Sequence, residues 1–232
     1  ETPDGFGFIV KAYQGMTGHA RGGAPFPDQA SMFAAFRALI EPMRAAGKLL
    51  AVLFQYPPWF DCTREHVDKL REARALMDGI PCALEFRHRS WFDGGMRERT
   101  LAFMKREGWI HSVCDEPQAG EGSVPAVAEA TDEALTIVRF HGRNAAGWKA
   151  GGPGWRDVRY LYRYSEAELA EWTQRLRRLE TQSETVCAIF NNNSGGDAAD
   201  NALQLMRMVG LRPPRGSFDP PAEPEQMDLF ER

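Results

Sequence analysis

Six apolar runs of this chain each stop on polar or charged residues, and that repeated ending constrains the fold more than any single motif. Residues 6–12 close on Lys11, and residues 49–55 stop at Gln55. Residues 82–88 meet Glu85, Arg87 and His88, while residues 109–114 lead into Asp115. Residues 135–140 carry Arg139 and run into His141, Gly142 and Arg143; residues 186–190 lead into Asn191 and Asn192. Short continuous apolar runs of this kind fit strands buried on both faces.

Between the runs the apolar period changes to that of a helix. Residues 29–47 place Met32, Phe33, Phe36, Leu39, Ile40 and Met43 on one face, and Gly47 stops them. Thr63 can cap a helix reaching residue 77, a further helix spans 95–107, and Ser165 with Glu168 forms a capping box for 165–179. A last helix covers 197–209, and the Gly- and Trp-rich residues 144–156 read as a loop. Alternating strands and helices imply a parallel sheet with right-handed crossovers. An open doubly wound sheet would gather its site at one switch point behind a glycine fingerprint, and neither G-x-G-x-x-G nor a Walker motif follows the first strand. Polar residues at every strand end instead suit one shared mouth. The expectation is a TIM (β/α)8-type barrel over residues 1–212 with six strand–helix units in view, followed by a Pro- and Glu-rich tail over 213–232.

Residues two apart share a strand face, so Glu85 and Arg87 point together, as do Arg139 and His141. A buried carboxylate beside a guanidinium must pair or meet a ligand. The pair therefore fits either an ion pair closing a barrel layer or an acid/base group beside an anion holder. His88 falls on the opposite face and reads as a packing histidine. On the functional reading Glu85, His141 and Asp115 are the acid/base candidates. Lys11, Gln55, Arg87, Arg139, Arg143, Asn191 and Asn192 are then the substrate-binding candidates. Trp91, Trp148 and Trp155 form an aromatic wall or cover the barrel edge. The cationic set suits a phosphate- or carboxylate-bearing substrate and a hydrolase or lyase. No H-E-x-x-H or i, i+4 histidine pair occurs, so neither a metal nor another cofactor is expected. A glycosidase pairing of Glu85 with Asp115 fits the surrounding arginines poorly.

Together, Phe8-Ile9-Val10-Lys11-Ala12, Phe54-Gln55-Tyr56-Pro57-Pro58 and Leu84-Glu85-Phe86-Arg87-His88 with Ser90-Trp91 resemble the YecE-like family, domain of unknown function 72. Val138-Arg139-Phe140-His141-Gly142-Arg143 and Phe190-Asn191-Asn192 continue the resemblance in the family's order. It implies a TIM barrel in a soluble bacterial protein and leaves the activity open. The family's Gly-Thr-Ser-Gly-Trp-like and Glu-Val-Asn-like opening strands have no counterpart before Phe6. The chain is therefore expected to lack the barrel's first two units, in keeping with a start at Glu1 that looks cut from something longer.

A net charge of −4 argues against a wholly basic nucleic-acid coat while permitting a local cationic pocket. Four scattered cysteines without zinc or redox spacing suit a reduced, cytoplasmic protein. In the tail, Gln226, Leu229 and Phe230 resemble the Gln-x-x-Leu-Phe peptide that binds the DNA polymerase sliding clamp. The alternative to an enzyme is thus a non-catalytic binding barrel recruited to replication or repair sites.

Overall fold

The computed structural model describes residues 2–20, 22, 25–152, 154–193 and 195–212, with backbone only at 156 and 157. Gln226, Leu229 and Phe230 lie outside the described residues. Six strands run in parallel in the order β1 (Phe8–Lys11), β2 (Leu49–Gln55), β3 (Cys82–Glu85), β4 (Trp109–Asp115), β5 (Leu135–Phe140) and β6 (Thr185–Phe190). Each pairs with the next in sequence, and the sheet curls into a half-barrel with helices outside. Among the described residues no helix is long and apolar enough to cross a membrane.

The helices begin where the sequence supplies side-chain oxygens for their orphan N–H groups. Asp28 accepts from Ser31 N at 2.7 Å to open α1 (Gln29–Ala45), and Thr63 accepts from His66 N at the start of α2 (Arg64–Leu76). α3 (Met96–Glu107) ends at Gly108, whose φ of 71° gives the left-handed cap. Residues expected to form one open loop fold instead into two short helices, α4 (Ala145–Lys149) and α5 (Trp155–Arg159). Asn144 makes the first possible by accepting from Gly147 N at 2.9 Å and donating to the Val158 carbonyl. The Ser165–Glu168 capping box opens α6 (Glu166–Glu180), and α7 (Asp197–Met208) follows β6.

Strand alternation divides the core into two faces. The concave face is lined by small and branched residues, Ala51, Leu53, Ala83, Ile110, Leu135 and Ile137. On the convex face Phe54 and Trp109 pack under α1 to α3, their rings 5.4 Å apart, and Phe140 meets Trp172 of α6 at 5.0 Å. β3 ends at Glu85 rather than reaching His88, which instead accepts from Ser90 N and starts a short 3₁₀ turn, Arg89–Trp91. The strand ends on the concave face therefore decide what the mouth of the half-barrel contains.

Candidate functional site

Register carries Lys11, Gln55, Glu85 and Arg139 onto the concave face: Lys11 stands opposite Leu53, Gln55 opposite Glu85, and Cys114 opposite Arg139. Glu85 is the hub and is fully buried. Its Oε2 accepts from Arg139 Nη1 at 2.6 Å and from Ser112 Oγ at 3.2 Å. Its Oε1 accepts from Arg87 Nη1 at 3.2 Å and lies 3.5 Å from His141 Nε2. Burial alone would raise the Glu85 carboxyl, but Arg139, His141 and Arg87 hold it well below the usual carboxylate range. It is a fixed anion that organises cations.

His141 is equally committed. Arg87 Nη1 lies 3.1 Å from its Nε2 and the Asn191 amide 3.3 Å from its Nδ1. Burial, then the adjacent Arg87, lowers its pKa to about 3, so it sits neutral at ordinary pH. Arg139 also donates to Gln55 Oε1 at 3.2 Å. Seven of the ten sequence candidates in the barrel are thus on one surface: Lys11, Gln55, Glu85, Arg87, Arg139, His141 and Asn191.

Three are not. Asp115 points to the convex face, where Arg143 Nη2 lies at 2.6 Å, Tyr164 Oη donates at 2.8 Å and Trp172 Nε1 also donates. It is the anchor of α6 and no acid/base group of the mouth. Arg143 follows it outward because Gly142 turns the chain with φ of 84°, its N–H donating to Tyr164 Oη. A Cβ at Gly142 would meet Tyr162 Cβ at 2.7 Å, so the turn is reserved for glycine. Asn192 likewise faces out and ties Tyr162 O and Asn201 Oδ1 together. Trp91 leaves the wall too: it is buried against Phe86, with its Nε1 donating to Phe60 O.

Other residues join the site. Arg87 Nη2 stands 2.9 Å from Glu116 Oε2 without an aligned N–H, while Glu116 Oε1 accepts from Val124 N at 2.7 Å. Burial pushes the Glu116 carboxyl up to about 7 against the opposing pull of Arg87 and Val124 N–H. Its parity with Ser112 and Cys114 was the available signal, hidden by ending the strand too early. Arg159, brought in by α5, packs its guanidinium 3.8 Å from the Trp148 ring centroid. Arg87 approaches the same ring at 5.0 Å.

Arg87 and Arg159 border a cavity of about 940 Å³. Its lining includes Lys11, Arg87 and Arg159 and, among the described residues, no carboxylate. Of the three tryptophans expected to form an aromatic wall or cover the barrel edge, Trp155 lines it, alongside Trp59 and Tyr160. Among the described residues Lys11 and Arg159 have no carboxylate within ion-pair distance, and Arg159 Nε is buried without a hydrogen-bond partner. Glu85, Cys114 and His141 place ligand-type atoms within 4.8 Å of one another. They suit a metal poorly, because guanidiniums already occupy both Glu85 oxygens and burial holds the Cys114 thiol protonated.

The family described as protein of unknown function DUF72 matches residues 1–227. The UPF0759 protein YunF of Bacillus subtilis (strain 168) is 56% identical over 232 residues, covering 99% of this chain and 80% of that protein. A crystal structure of a DUF72 family protein from Enterococcus faecalis V583 aligns with a TM-score of 0.87 at 36% identity, covering 91% of this chain and 77% of that one. A second, from Thermotoga maritima MSB8, aligns with a TM-score of 0.77 at 31% identity, covering 90% and 75%.

Proposed function

The chain belongs to the DUF72 family, and from that premise we propose that its half-barrel mouth binds a phosphate- or carboxylate-bearing small molecule and turns it over as a hydrolase or lyase. One observation carries the anion: Lys11 and Arg159 border the cavity with Arg87, and among the described residues no carboxylate borders it with them. Side chains committed to structure normally neutralise their charges locally, as Arg143 does with Asp115. Cations left unpaired around a concave space favour a negative ligand. Trp59, Trp155 and Tyr160 give that ligand an aromatic flank.

The test is calorimetric titration of the full chain with inorganic phosphate and with small carboxylates. Each charge-assisted hydrogen bond contributes about 1.5–3 kcal/mol, so Arg159→Gln and Lys11→Gln should each weaken binding by roughly tenfold or more. Affinity indifferent to both substitutions would sink the anion site. The enzyme reading needs consumption of a phosphorylated or carboxylated metabolite. If ligands bind and none is consumed, the non-catalytic binding barrel stands in its place.

Two finer points belong to the same proposal. A complete TIM barrel needs two further strands, and the free edges of β1 and β6 among the described residues leave room for them, with Ile9, Cys187 and Ile189 only partly covered. Four free thiols support a reducing, cytoplasmic setting. Recruitment to the sliding clamp rests on Gln226, Leu229 and Phe230 alone. Fluorescence anisotropy of a labelled tail peptide tests it, and binding that survives alanine at Leu229 and Phe230 would count against it.

A further inference from the structure

Resting on that anion-site reading, we propose that His19 is the proton-exchanging residue of the cavity, neutral when the space is empty and protonated when a dianion fills it. The groups that the strand ends offer are already spoken for. Glu85 is shared by two guanidiniums, both nitrogens of His141 have partners, and Asp115 faces away. Glu116 sits behind Arg87 and does not border the cavity.

His19 does border it. The residue follows a 3₁₀ turn, Gln14–Thr17, and its backbone N–H donates to Gln14 O at 3.0 Å. The Thr17 hydroxyl is buried, donates to Gln14 O and lies 2.9 Å from His19 Nδ1. A hydroxyl that has given its proton to a carbonyl accepts from Nδ1–H, which leaves the lone pair on Nε2. On its other side the ring meets Trp59 edge-on at 6.0 Å. A base oriented by a second group, beside an open space, is the arrangement proton transfer requires.

Among the described residues the charged group facing the ring is Lys11 on β1; its neighbours Thr17 and Trp59 carry no charge. Burial and then Lys11 hold the imidazole below its ordinary value of 6.5. A dianion bound between Lys11 and His19 reverses that balance and draws a proton onto Nε2. A hydrolase or lyase needs a proton at that place, where charge gathers on the leaving oxygen.

Sulfate carries its charge without titrating near neutrality and is therefore the probe. Titrating it calorimetrically into the full chain, in buffers of different ionisation enthalpy, counts the protons taken up on binding. The wild-type protein should take up a fraction of a proton per sulfate. His19→Gln should still bind, about tenfold more weakly, and take up none, whereas Glu116→Gln should keep the uptake. Uptake that persists in His19→Gln, or disappears in Glu116→Gln, overturns the assignment while leaving the anion site standing. Failure of the wild-type protein to bind sulfate, or binding that neither Arg159→Gln nor Lys11→Gln weakens, overturns both.

Discussion

Arg139 on β5 reaches across β4 to place Nη1 2.6 Å from Oε2 of Glu85 on β3, with both side chains buried. Neither strand is the other's neighbour, so the contact clamps three strands through one carboxylate. Arg87 takes the second oxygen at 3.2 Å. Two buried guanidiniums thus share one fully buried carboxylate, and Arg87 has Glu116 as a second neighbour.

Removing that anion should be costly. Breaking a buried charge pair from one side typically costs about 3–5 kcal/mol, because the partner is left uncompensated. Glu85→Ala should lose stability on that scale in urea unfolding, and Glu85→Gln should lose less because its amide oxygen can still accept. A loss under about 1 kcal/mol for the alanine variant would mean that the guanidiniums find other partners.

Acid should weaken the fold before ordinary carboxylates titrate. His141 falls to about 3 through burial and Arg87, and His111 to about 4 through burial, both from an ordinary 6.5. Between those values the unfolded chain binds more protons, so stability falls as pH drops below 6.5. Glu116 acts in the opposite direction: raised from 4.5 to about 7, it contributes stability below 4.5 that is lost as pH rises through about 7. Two histidines outweigh one glutamate on the acid side, which places the maximum near 6.5. Urea midpoints across pH check this. His141→Asn should flatten the acid limb and Glu116→Gln the limb approaching 7; an acid limb unchanged in His141→Asn would refute the account.

Asp115 should separate stability from binding. It holds Arg143, Tyr164 and Trp172 from the far side of the sheet. Asp115→Ala should cost about 3 kcal/mol or more in thermal or urea unfolding, yet leave sulfate affinity within twofold. A large fall in affinity in a variant that remains folded would place Asp115 at the mouth after all.

The sequence made the sheet legible because each apolar run and each helix cap is local. Leu49–Gln55 and Leu135–Phe140 form strands over the bounds their apolar runs suggest, and Ser165 with Glu168 makes the expected box. The site was legible where an isolated charge broke the run, as at Lys11, Glu85 and Arg139. It was not legible on β4. That strand is buried on both faces, so nothing in its composition tells which parity looks inward. Asp115 was therefore assigned the wrong face, while Cys114 and Glu116 passed unnoticed. Arg159 was hidden for another reason: α4 and α5 are too short for periodicity to reveal, and their packing on Trp148 is a tertiary event.

Among the described residues, the two cavity cations without an ion-pair partner lie far apart in the chain, Lys11 on the first strand and Arg159 on the helix beyond the fifth. Only a chain whose β1 and post-β5 segment are both in place brings the two to one cavity. On the proposed reading, an anion would therefore act as an inspector of completed assembly, rewarding only molecules in which β1 has docked and the segment after β5 has folded. Added ligand should slow the loss of the native state while leaving the early steps of folding untouched.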